Sequence, residues 1–218
     1  MQNIDLFKKI EAAKKEQKAG NFIEANKIFH SLLISNSNSF EVHYAYGLFC
    51  KDIKNFYLAK RLFLNLINKF PSSINSYILL AEILRMENNF NDAERVLQKG
   101  IKINPTHSDL LYNLSLLYFT SRNFDHGLIY IEKALKLSKN NFIYKLLKSE
   151  IYLNNNNVDE AINILNLLKN NKNIQKDNNK KIRVYILLAN AYIKNREYKE
   201  AENILLKLIK KNKRLELA

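Results

Sequence analysis

Apolar positions recur along this chain at a fixed interval. Phe22, Phe56, Phe90, Phe124 and Val158 are 34 residues apart, and Tyr198 follows 40 residues later. Three positions after each comes a small residue: Ala25, Ala59, Ala93, Gly127, Ala161 and Ala201. A constant period of this length means one supersecondary unit stacked on itself. Within a unit the periodicity is helical. Tyr77, Leu80, Ala81 and Leu84 fall on one helical stripe, and Glu87-Asn88-Asn89 interrupts it. Phe90, Ala93, Val96, Leu97 and Ile101 form the stripe of a second helix, which Asn104-Pro105-Thr106 ends. The pattern predicts a helical hairpin whose helices cross closely at Ala81 and Ala93, where a larger side chain would push them apart. Phe90 and Leu97 are expected to fill the space beside that crossing. On that reading Phe90→Ala is a core truncation costing about 3–5 kcal/mol. One hairpin cannot bury both of its faces, so the next must stack on it.

The combined spacing resembles the tetratricopeptide repeat family. Residues 74–107 carry Tyr77, Leu80, Ala81, Leu84, Phe90, Ala93, Leu97, Gly100 and Pro105 at the positions of that pattern. Residues 40–73 carry His43, Tyr46, Gly47, Cys50, Phe56, Ala59, Phe63, Leu66 and Pro71. Residues 108–141 carry Leu111, Leu114, Ser115, Tyr118, Phe124, Gly127, Ile131 and Ala134. Frames 6–39, 142–175 and 182–215 are less regular; the first has Lys9 and Glu16 where bulky residues are usual. The resemblance implies an all-α fold: a right-handed superhelical solenoid of stacked antiparallel helix pairs, about six repeats and twelve helices. One solenoid is expected to span residues 1–218. The polar segment 169–181 (KNNKNIQKDNNKK) is expected to be an extended second-helix end plus a mobile loop.

Composition supports the helical reading. Only 4 Gly and 2 Pro are present, too few for the turns of a β-rich fold. The single cysteine, Cys50, allows no internal disulfide and fits a reducing compartment. The N-terminus has no apolar core of a signal peptide, and no apolar run approaches about 18 residues. The expected location is cytoplasmic. The net charge is +14, and residues 169–214 hold 14 Lys or Arg against 4 Asp or Glu, a local net of +10. A Lys- and Asn-rich composition also follows from AT-rich coding, with no functional cause.

The residues of catalysis and metal binding are sparse and scattered. His30, His43, His107 and His126 form no close pair, and there is no second cysteine for a metal site. His43 and Cys50 fall at packed positions of their repeat, so a hydrogen-bonded core histidine and a structural thiol are expected. No phosphate-cradling glycine loop and no nucleophile elbow occurs. The chain reads as a non-enzyme, with no cofactor, no metal and no catalytic residue.

The resemblance places function on the first helices, which in this family line a concave groove. Mapped onto this sequence, the groove carries Tyr44, Leu48, Lys51, Ile78, Glu82, Arg85, Tyr112, Asn113, Leu116, Phe119, Leu146, Glu150, Leu153, Ile186 and Asn190. Apolar and aromatic in its middle, it suits an amphipathic helix or apolar-rich peptide. Tyr112 and Phe119 are the leading candidates. The basic set that some family members use to grip a C-terminal carboxylate is missing, with Ile78 and Glu82 at two of its places. Two alternatives stand beside this scaffold reading. One is a basic surface of Lys207, Lys210, Lys211, Lys213 and Arg214 binding nucleic acid or an anionic membrane, though few aromatics interleave as a single-strand binder needs. The other is a module of a larger bacterial protein, of the kind found beside glycosyltransferase or sulfotransferase domains. The last repeat has no capping helix after it, so a homo-oligomer through that end is a further expectation.

Overall fold

A computed structural model describes the backbone of residues 2–216 and the side chains of residues 4–209. The described residues form thirteen helices and no strand. They are α1 (Gln2–Lys18), α2 (Phe22–Ser35), α3 (Phe40–Asp52), α4 (Phe56–Lys69), α5 (Ile74–Met86), α6 (Phe90–Ile103), α7 (Ser108–Thr120), α8 (Phe124–Leu137), α9 (Phe142–Asn154), α10 (Val158–Lys169), α11 (Lys172–Lys176), α12 (Asn178–Lys194) and α13 (Tyr198–Glu216). The six residues that set the sequence period are each the first residue of a second helix. Their contacts divide the chain into two compact units, Met1–Thr106 and His107–Ala218.

The same turn joins the two helices of every pair. One residue in it takes the left-handed conformation: Gly20, Lys54, Asn88, Arg122, Asn156 and Arg196, with φ between 59° and 82°. The next residue sends its N–H five residues back, as in Asn55 N–H to the Cys50 carbonyl at 2.8 Å and Asn123 N–H to the Tyr118 carbonyl at 2.8 Å. This closes the first helix in a Schellman motif. That same residue starts the second helix. The Asn55, Asn89 and Asn123 side chains accept from the N–H groups of Leu58, Asp92 and His126, satisfying donors the helix leaves orphaned. The period therefore includes a left-handed residue and an Asn cap as well as an aromatic. The aromatic itself is not core. Phe90 is half-buried and Phe22 is half-exposed, so Phe90→Ala removes less buried surface than a core truncation would.

In the first unit the core is aromatic. Phe29 stacks on Tyr46 and meets Phe49, with ring centroids 5.4 and 5.2 Å apart, all three buried. Phe63 on α4 is fully buried against Gly47 on α3. A Cβ at position 47 would stand 2.8 Å from the Phe63 ring, so only glycine lets these helices approach this closely. At these registers the first repeat has Ala13 and Phe29, and the later ones pair Ala or Ser with Leu or Ile.

In the second unit the same crossing uses a hydrogen bond. Buried Ser115 on α7 donates to the Gly127 carbonyl on α8 at 2.8 Å. Segment 169–181 differs from the expectation of an extended helix end and a loop. It folds as α11, whose Ile174 is buried, and α12 begins at Asn178. Asn171 caps α11 through the N–H groups of Asn173 and Ile174, and the Gln175 amide donates to the Lys169 carbonyl. Asp177 caps α12 through the Lys180 N–H at 3.1 Å, and that bond holds its carboxyl below the usual range. The one apolar residue among polar neighbours, Ile174, pins the segment.

Candidate functional site

In the first unit the expected groove residues of α3 and α5 are all half-buried: Tyr44, Leu48, Lys51, Ile78, Glu82 and Arg85. Tyr44 stacks on Phe40 and meets the edge of Phe63, at 5.5 and 6.2 Å between centroids. Lys51 Nζ lies 2.8 Å from Glu82 Oε2, tying α3 to α5. The charges expected in the groove are thus spent partly on each other, and the face is more apolar than its sequence suggests.

In the second unit α7 carries Tyr112, Asn113, Leu116 and Phe119, all half-buried. Tyr112, Leu116 and Phe119 are spaced to form one stripe along the helix. Tyr112 stacks on Tyr144 of α9 at 5.0 Å, and Phe119 lies 6.1 Å from Phe124 at the start of α8. Asn113 donates to the Asp109 carbonyl one turn back. Buried Tyr144 donates to Asp109 Oδ1 and is in hydrogen-bond contact with Ser108 Oγ, and burial pushes its pKa up to about 12. The α7 stripe therefore stands on a rigid base.

The next first helix departs from expectation. Leu146 and Leu153 are buried, members of one core cluster with Ile174, Val184, Leu188 and Ala191. They are core residues rather than groove residues, because α12 packs on that side of α9, where Lys194 near its end donates to the Leu153 carbonyl. Glu150 remains half-buried; burial raises its carboxyl pKa, and Arg183 partly opposes the rise. On α12, Ile186 and Asn190 are exposed.

Neither histidine nor cysteine offers a reactive group at these faces. His43 is buried with Nδ1 2.8 Å from the Ser39 carbonyl, as its packed position predicts. Burial pushes the Cys50 thiol up to about 12, so it is not the thiolate at neutral pH. Among the described residues no group of His, Cys, Asp and Glu could hold a metal ion. Among them, too, no helix is long and apolar enough to cross a membrane. Of the expected basic surface, Lys207 is exposed on α13, whereas Lys210, Lys211, Lys213 and Arg214 lie outside the residues whose side chains are described.

Two lysines went unremarked in the sequence reading. Lys145 and Lys148 stand where the preceding repeat has Leu111 and Leu114. Laying the 34-residue frames one over another would have exposed them.

Comparison with known proteins places the chain. The family model of ChAPs (Chs5p-Arf1p-binding proteins) matches residues 7–187, and a tetratricopeptide repeat model matches residues 182–213. No curated protein matches. Among solved structures, the thermophilic TPR protein of Thermus thermophilus is 18% identical, with TM-score 0.66 over 84% of this chain and 98% of that one. A tetratricopeptide repeat protein of Parabacteroides merdae is 16% identical, with TM-score 0.74 over 94% and 79%. PilF of Pseudomonas aeruginosa is 16% identical, with TM-score 0.64 over 92% and 98%. These likenesses bear out the fold, an all-helical array of tetratricopeptide type, and that architecture is consistent with a protein-interaction scaffold. The chain belongs to the ChAPs family, and its helix pairs are tetratricopeptide repeats.

Proposed function

We propose that the chain is a non-catalytic adaptor whose first-helix faces hold a segment of another protein, an amphipathic helix or an apolar-rich peptide. One observation carries this reading: the stripe Tyr112, Leu116 and Phe119 on α7, half-buried, apolar and backed by the Tyr112–Tyr144 stack. A rigid row of aromatic and aliphatic side chains at helical spacing is what an amphipathic helix packs against. The row Tyr44, Leu48 and Ile78 offers the same chemistry in the first unit. The family description adds support, since it names its members for binding two proteins, Chs5p and Arf1p.

Affinity capture with mass spectrometry tests the proposal. Wild type is compared with Leu116→Ser and with Tyr112→Ala/Phe119→Ala, all washed in high salt after nuclease treatment. Circular dichroism checks that each variant is folded at the assay temperature. The proposal predicts a protein retained by wild type and lost by both variants. Retention by both folded variants, or a capture that nuclease removes, contradicts it.

A further inference from the structure

The fifth repeat breaks its own register in a way that opens a charged pocket. The two positions that hold Lys145 and Lys148 on α9 hold Tyr77 and Leu80 on α5, Leu111 and Leu114 on α7, and Tyr185 and Leu188 on α12. On α3 they hold His43 and Tyr46, and on α1 Lys9 and Ala12. A lysine cannot end in an apolar core without losing its hydration, so both side chains run outward along the groove between α8 and α9. The result is an open pocket of about 390 Å³ lined by Glu132, Leu135, Lys136, Lys139, Lys145 and Lys148.

The charges in this pocket do not balance. Lys148 Nζ is 2.9 Å from Glu132 Oε1 and also lies over the Tyr152 ring. Lys136, Lys139 and Lys145 have no carboxylate partner among the described residues. Three lysines without an ion-pair partner thus line one open pocket. A single carboxylate would leave most of that charge unmatched. A group with several anionic oxygens would engage it in full, and lysine binds phosphate as a point charge with three donors. We infer that this pocket binds a soluble phosphate-bearing small molecule carrying two or more linked phosphates. The inference stands on the pocket alone and does not depend on the first-helix faces.

The test is titration calorimetry of the full chain with tripolyphosphate at about 0.15 M salt, where exposed charges are largely screened beyond about 8 Å. Lys145→Leu/Lys148→Leu restores the residues of the preceding repeat. Lys172→Gln/Lys176→Gln removes the same charge from the exposed lysines of α11 as a control. Expected are saturable one-site binding to wild type, unchanged binding to the control, and about tenfold or weaker binding to the restored-register variant. Should that variant fail to fold, Lys136→Gln/Lys139→Gln is read in its place with the same expectation. Equal weakening in variant and control would overturn the inference. So would no saturable binding to wild type, or tighter binding of hexaglutamate than of tripolyphosphate.

Discussion

α7 buries Leu110, Leu111, Leu114, Ser115 and Leu117, whereas α9, one repeat later, buries Tyr144, Leu146, Leu147, Ser149, Ile151 and Leu153. The shared positions include Ser115 and Ser149, at the close crossing within each pair. The rest of the buried face has turned. α9 gives up the two positions where α7 has Leu111 and Leu114, placing lysines there. It buries Leu146 and Leu153 instead, because α12 packs on that side. The repeat frame thus fixes where paired helices cross. The neighbouring element decides which remaining positions are surface, and therefore where a ligand can bind. On α7 the open face is an apolar stripe; on α9 two of the three corresponding positions, Leu146 and Leu153, are sealed and an ionic pocket opens on another side.

Exchanging residues between the two helices should break this contrast most sharply. Leu114→Lys puts a charge at a fully buried position and should cost about 3–5 kcal/mol in a denaturant melt. The reciprocal Lys148→Leu should be tolerated with no loss of stability. Comparable losses from both would show that the lysine register is structural. A smaller difference separates the two expected groove positions. Leu146→Ala should cost about 2–5 kcal/mol as a core truncation. Tyr112→Ala, at the same register on α7, loses a half-buried ring and one stack, about 1–2 kcal/mol.

Gly127→Ala probes the crossing both helices share. A Cβ there meets Ile151 Cδ1 at 3.4 Å and the Ser115 carbonyl at 3.6 Å, which is ordinary contact. The gain in helix propensity should dominate, raising stability by about 0.5–1 kcal/mol. The smallest effect depends on pH. Burial raises the Glu150 carboxyl pKa above 4.5, so the folded state holds its proton more tightly than the unfolded chain does. This group's contribution is fully present below pH 4.5 and is lost as pH rises through its folded value. Glu150→Gln should therefore raise the melting temperature at neutral pH, and the difference should vanish below pH 4.5. An unchanged difference across that range would show that Arg183 compensates the charge.

Most of the fold was legible in the sequence, because each repeat's signals are local. Phe56, Ala59 and the Asn before them repeat at one period, and α3, α5, α7 and α9 begin at the first residue of frames 40–73, 74–107, 108–141 and 142–175. The segment around Ile174 was misread because one buried residue among polar neighbours leaves no periodic pattern. The candidate site was less legible. Leu146 and Leu116 stand four places, about one helical turn, apart in their frames, and both read as apolar first-helix residues. Only the packing of α12 on α9 separates core from surface. Nor could spacing point to the ChAPs family, which the tetratricopeptide pattern does not distinguish.

Site-specific photocrosslinking tests the central claim most directly. A photoreactive phenylalanine analogue replaces Leu116 on α7 in one sample and exposed Asn163 on α10 in another, and both are irradiated in native lysate. The account predicts a discrete protein adduct from position 116 and none from position 163. Adducts from position 163 alone would place partner binding on the second helices and contradict it.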